Sequence, residues 1–236
     1  VGGILAVDGP AAERHHALLE GALALGDRVR FDNSAYPDDP ARAHGIPFTE
    51  VRFAAPLGEL AAWQVDGPGD TWAIFVHGKG SNRGEALRML PTMHRAGLPA
   101  LVITYRNDEG APEDPSAYYQ YGATEWADLD AAVRYALDQG AERLVVVGYS
   151  MGGGIVAGFL YQSPLADRVA GVILDSPMLD LGATVDLAGR QRGLPSFLTA
   201  VAKVLTNVRF DVDWGEMDHL ARADEIEAPV LLFHGD

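Results

Sequence analysis

The residues best suited to chemistry in this chain are Gly148-Tyr149-Ser150-Met151-Gly152, a Gly-x-Ser-x-Gly run. Four β-favouring apolar residues, 144–147 (LVVV), lead into it, and 155–160 (IVAGFL) follows with the composition of a buried helix. That order is strand, sharp turn, helix. A serine at the apex of such a turn projects clear of the backbone, and Gly148 and Gly152 are required because a Cβ at either would collide across the tight crossing. Ser150 also opens a helix, where free N–H groups and the helix dipole stabilise a nearby negative charge. An oxyanion formed during acyl transfer is such a charge, so the chemistry expected is attack by Ser150 and a covalent acyl-enzyme. With 27 glycines in 236 residues the bare pattern arises readily by chance. The strand before it and the helix after it make it a nucleophile elbow.

Other elements have to hold that turn in place. Residues 48–54 (FTEVRFA) alternate apolar and polar with period two, and 60–65 (LAAWQV) follows a Pro56-Leu57-Gly58 turn, which predicts an antiparallel hairpin. The continuous runs 72–77, 100–105, 169–174 and 229–233 predict strands buried on both faces of a parallel sheet. Between them, Leu87, Leu90 and Met93 predict a helix over 84–96. Trp126, Leu129, Val133, Ala136 and Leu137 predict another over 124–137, its charges Glu125, Asp128, Asp130, Arg134 and Asp138 forming a solvated side. Residues 11–25 read as helix and 32–45, with Pro37 and Pro40, as loop. After 177 the alternation breaks into a loop, an apolar helix over 196–205 and an acidic stretch over 211–218. Strands alternating with helices after an opening hairpin predict an α/β chain with a mainly parallel sheet covered by helices on both faces.

Composition sets outer bounds. A chain of 236 residues with 48% hydrophobic content supports one substantial α/β domain. A net charge of -15, with scattered Lys and Arg, argues against a nucleic-acid partner and against docking on anionic lipid. The absence of cysteine excludes disulfides, a thiolate nucleophile and Cys-ligated metal sites. His15, His16 and His44 have no carboxylate or histidine at a metal-ligand spacing in the sequence, which favours surface or packing roles. The 211–218 stretch lacks the Gly-centred calcium loop, and Gly152-Gly153-Gly154 has no Lys-Ser or Lys-Thr pair after it, so neither a metal nor a cofactor is expected.

In a parallel sheet, chemistry gathers at the carboxyl ends of the strands. Three loops fall there: His77-Gly78-Lys79-Gly80, Gly148-Tyr149-Ser150-Met151-Gly152 and His234-Gly235-Asp236. On these motifs and the closing PVLLFHGD, the chain from about 48 to 236 resembles the α/β-hydrolase family, serine hydrolases in particular. The resemblance implies that Ser150 is the nucleophile and that the backbone N–H groups of Met151 and Lys79 are the oxyanion donors, with His77 orienting its loop. It implies an acid in an HG-x-x-D pattern just past Asp236 and a histidine later still. Asp236, and Asp175 at the end of the preceding strand, are therefore the candidate acids within the chain.

The resulting expectation is a serine hydrolase for small acyl substrates, esters or thioesters, with no cofactor. A serine peptidase of the same fold and a catalytically silent binding protein are the alternatives. Residues 1–47 are expected to form an N-terminal helical and loop segment. Residues 48–236 are expected to form the hydrolase domain, with a small lid-like insert at about 178–228. The chain is expected to be a fragment lacking its triad histidine, and inactive for that reason. The opening 1–7 (VGGILAV) could be the tail of an upstream signal or anchor segment, the one route to membrane contact, with a short terminus as the alternative. Oligomeric state, compartment and acyl group are not legible.

Overall fold

The computed structural model describes residues 4–8, 15–22, 24, 39–210 and 212–235. The chain divides into two compact units, Val1–Asn33 and Ser34–Asp236. In the first, β1 (Ile4–Asp8) pairs antiparallel with β2 (His15–Glu20), Leu5 opposite Leu18. This corrects the helix expected over 11–25. HHALLE contains good helix formers, but pairing with the apolar strand ILAVD satisfies its backbone and overrides that weak preference. Residues 11–14 and 32–38 lie outside the described residues. The loop expected up to residue 45 instead contains α1 (Pro40–His44). Asp39 Oδ1 accepts from Arg42 N–H at 2.9 Å, Pro40 opens the helix, and Gly45 closes it at φ 67°.

The second unit is built on a seven-stranded sheet. After α1, which also belongs to this unit, its elements in chain order are β3 (Thr49–Ala55), β4 (Gly58–Val65), β5 (Thr71–Val76), α2 (Leu90–Arg95), β6 (Ala100–Ile103), α3 (Trp126–Asp138), β7 (Arg143–Tyr149), α4 (Met151–Gln162), β8 (Val169–Asp175), α5 (Leu181–Gln191), α6 (Ser196–Phe210) and β9 (Val230–Phe233). The strand order is β3-β4-β6-β5-β7-β8-β9. The hairpin β3–β4 and the pair β4–β6 are antiparallel, and every pairing from β6 to β9 is parallel. A mainly parallel sheet opening with an antiparallel hairpin is the architecture expected.

Successive side chains explain why both faces are covered. Ile74 and Val76 of β5 join one apolar cluster with Leu129 and Val133 of α3 and Ile155 and Phe159 of α4. Ala73 and Phe75 point the other way, toward Leu87 and Leu90. Each fully buried side chain of this size contributes about 1.5–3 kcal/mol of apolar burial. The helix expected over 84–96 is divided: a 3₁₀ segment (Arg83–Arg88) precedes α2, and Pro91 sits in the first turn of α2, where its missing N–H costs nothing.

Three further expectations are corrected. Helix α5 lies where a loop was expected. Its two glycines hide it, yet Asp180 Oδ1 caps it through Ala183 N–H at 2.7 Å, and Gly189 allows Thr199 of α6 to approach, a Cβ there falling 2.5 Å from Thr199 Cγ2. Strand β9 is not doubly buried: Val230, Leu231, Leu232 and Phe233 are each about half exposed, because among the described residues it pairs with β8 alone.

The third correction concerns α3. Arg134 and Asp138 are exposed as expected, but Asp128 is 1% exposed and Glu125 fully buried. Asp128 takes Arg106 Nε at 2.8 Å, Arg106 Nη2 at 2.9 Å and Arg106 backbone N–H at 2.9 Å, while Arg106 Nη1 donates to Asp114 at 3.0 Å. Glu125 accepts from Gln120 N–H at 2.6 Å and Gly122 N–H at 2.9 Å. These two carboxylates fix the ends of the loop between β6 and α3. Among the described residues no helix is long and apolar enough to cross a membrane.

Candidate active site

The tight turn between β7 and α4 places Ser150 at φ 49°, ψ -116°. A non-glycine residue held there stores about 1–3 kcal/mol, and it persists only where the surroundings over-determine it. They do so here. Ser150 N–H donates to Asp175 O at 3.0 Å at the end of β8, and Ser150 O accepts from Gly153 N–H and Met178 N–H, each at 2.9 Å. A Cβ on Gly148 would lie 2.8 Å from Gly152 O, and one on Gly152 would lie 2.8 Å from His77 O while also striking Val76 O. The first turn of α4 therefore rests directly on the end of β5.

The same contact brings the His77-Gly78-Lys79-Gly80 turn to the serine. A Cβ on Gly78 would be 3.0 Å from Ser150 Cβ. Gly78 N–H donates to Glu85 Oε2 at 2.7 Å. His77 is buried, its Nε2 2.8 Å from Asp108 Oδ2, its Nδ1 2.9 Å from Gly78 O, and its ring stacked on Tyr105 with centroids 4.4 Å apart. Tyr105 OH donates to His77 O at 3.1 Å. Among the described residues the N–H groups of Lys79 and Met151 donate to no protein group. Met151 follows Ser150 at the N-terminus of α4, and Lys79 follows Gly78, the residue packed against Ser150.

The candidate acids separate. Asp175 Oδ2 is 3.3 Å from Arg88 Nη1 and its Oδ1 accepts from Ser176 Oγ at 3.1 Å. Asp236 lies outside the described residues. Two of the histidines, His219 and His234, lie against backbone carbonyls. His219 is buried, and because a carbonyl can only accept, its Nε2 donates to Tyr121 O at 3.2 Å. Burial pulls the His219 ring below its ordinary pKa, a tendency the Tyr121 carbonyl opposes. His94 is on α2, and His234 Nδ1 lies 2.7 Å from Gly235 O. Among the described residues none bonds Ser150 Oγ. In the acidic stretch, Asp213 and Asp218 cap turns through Gly215 N–H and Ala221 N–H, at 2.8 and 3.1 Å.

Sequence reasoning missed Tyr121. It adopts φ 50°, its neighbours' N–H groups are both held by buried Glu125, and its hydroxyl accepts from Lys79 Nζ at 2.6 Å. Its carbonyl abuts α4, with a Cβ on Gly154 falling 2.7 Å away. The only local signal is Tyr121-Gly122 within a polar loop.

The model of a family described as serine aminopeptidase, S33, matches residues 73–216. No curated protein matches the chain. Among solved structures, an esterase of Pyrococcus furiosus superposes with TM-score 0.59 at 22% identity, covering 87% of this chain and 75% of its own. An α/β-hydrolase from Vibrio vulnificus superposes with TM-score 0.60 at 23% identity, covering 78% and 62%. An acylaminoacyl peptidase of Pyrococcus horikoshii gives 0.56 at 18%, covering 79% and 31%. These likenesses carry the fold.

Proposed function

We infer that this chain, which belongs to the serine aminopeptidase, S33 family of α/β-hydrolases, cleaves an ester, thioester or related acyl bond through a covalent acyl-enzyme on Ser150. The observation that carries the reading is the strained serine held against Gly78, with the N–H groups of the adjoining residues Lys79 and Met151 unpartnered among the described residues. Ser150 Oγ attacks the acyl carbonyl, its proton passing to the departing group, and the two N–H groups receive the oxyanion. The leaving group departs, and water releases the acid. Each donor in such a hole is worth about 2.7–4 kcal/mol of transition-state stabilisation. None of the described histidines bonds Ser150 Oγ, so the base is assigned to none of them. Asp175, with both oxygens engaged by Arg88 and Ser176, is disfavoured as the acid, and Asp236 keeps that candidacy. Residues 178–228, with α5 and α6, would form the lid over a small acyl substrate.

The family description and the acylaminoacyl peptidase favour a second reading, a peptidase. A panel of short-chain p-nitrophenyl esters and aminoacyl p-nitroanilides, offered to the full-length protein, separates the readings. Esters turned over faster than anilides are expected. Anilides as the better substrates would move the assignment to a peptidase, and turnover of neither would move it to a silent binding protein.

A further inference from the structure

We propose that Lys79 Nζ and the Tyr121 hydroxyl form an anion subsite beside Ser150, so that the acyl substrate carries a carboxylate near its scissile carbonyl. The proposal rests on Ser150 being the reacting residue and adds the substrate class. It starts from an outlier. Tyr121 is a bulky residue in the left-handed region, and three groups keep it there: the two oxygens of buried Glu125, on Gln120 N–H and Gly122 N–H, and His219 Nε2, on the Tyr121 carbonyl. Strain so firmly over-determined is characteristic of sites where a side chain must be presented in one place. The place is 2.6 Å from Lys79 Nζ, one residue along from the Gly78 that touches Ser150.

The pair is rich in donors and lacks an acceptor. Because the Tyr121 oxygen accepts from Lys79, its own proton is free to point elsewhere, and among the described residues it reaches no protein acceptor. Lys79 is exposed, and among the described residues no carboxylate lies within salt-bridge distance of its ammonium. That is telling in a chain with 33 acidic against 18 basic residues. The nearby carboxylates are spent elsewhere: Glu85 on Gly78 N–H and Arg88, Asp108 on His77 and Tyr105 N–H, and Glu125 on the two loop amides. A carboxylate entering beside Ser150 would meet an ammonium and a hydroxyl already aligned, a charge-assisted pair. The surrounding charge of -15 repels anions at long range, so any preference for one must arise at this local site.

The test is isothermal titration of monomethyl glutarate and its neutral counterpart dimethyl glutarate into the full-length Ser150→Ala protein, where turnover cannot intervene. The half-ester is expected to bind about 10- to 100-fold more tightly than the diester, as for a hydrogen bond to a charged group. Adding Lys79→Met should bring the ratio near one, Tyr121→Phe should lower it about three- to tenfold, and Lys79→Arg should retain most of it. Circular dichroism of each variant checks that the fold is retained. A merely structural brace would lose stability in these variants without changing the ratio. Equal binding of the two esters by the Ser150→Ala protein, or a ratio untouched by Lys79→Met, overturns the subsite. An anion preference in a protein whose Ser150 proves inert would retain the subsite and refute the catalytic reading instead.

Discussion

Ser150→Ala is expected to lower p-nitrophenyl acetate turnover by the full-length protein about 10⁴- to 10⁶-fold, the loss seen when a serine hydrolase is deprived of its nucleophile. The fall should appear in kcat with little change in KM, because the hydroxyl bonds covalently in the reaction and contributes little to holding the ground state. Misfolding is a poor explanation for such a loss. Alanine also has a Cβ, so at φ 49° it bears the same strain as serine, and the backbone bonds to Asp175, Gly153 and Met178 are untouched. Ser150→Gly sharpens the point. Glycine relieves the left-handed strain, so that variant should be equally inactive but about 1–3 kcal/mol more stable to urea than wild type. A Ser150→Ala protein that keeps wild-type turnover would place the chemistry at another residue.

Arg106→Met is expected to cost about 3–5 kcal/mol of stability, because it strands two buried carboxylates without their cation. Asp128 would lose two of its three bonds and Asp114 its link to the guanidinium. For a domain of this size that loss corresponds to a fall of about 6–20 °C in Tm. The pH dependence has a definite sign. Burial raises the Asp114 carboxyl, but bonds from Ser116 and Arg106 outweigh it and hold the group below its usual range. That depressed pKa contributes stability above the ordinary carboxylate pKa of about 3.9, and the contribution is lost as pH falls through the folded value. The gap between wild type and Arg106→Met should therefore narrow toward low pH. Urea unfolding at several pH values measures it, and a gap below about 1 kcal/mol at neutral pH would show that the network is dispensable.

The parts of this fold that were legible from sequence are those fixed by local pattern. The runs ending at Val76 and Tyr149 are continuously apolar because both sheet faces are covered, and the spacing of Gly148, Ser150 and Gly152 encodes a crossing that admits no Cβ. What escaped depends on distant partners. HHALLE reads as helix until ILAVD pairs with it. Glu125 and Asp128 read as solvated because charge alone suggests water, and only the arrival of Arg106 and of the Gln120 and Gly122 amides makes them core. Helix α5 was hidden by Gly182 and Gly189, the latter being the contact that lets α6 approach. Tyr121 had no sequence signal beyond the Gly122 that follows it, since its left-handed conformation is imposed by Glu125 and His219, residues 4 and 98 positions away.

The claim that organises this account is that Ser150 is the residue that bonds covalently to substrate. It is tested most directly by treating the full-length protein with a fluorophosphonate and mapping the adduct by peptide mass spectrometry. A single phosphonyl group on the peptide carrying Ser150, absent from the Ser150→Ala protein, is the predicted result. An adduct on any other residue, or undiminished labelling of Ser150→Ala, would contradict it.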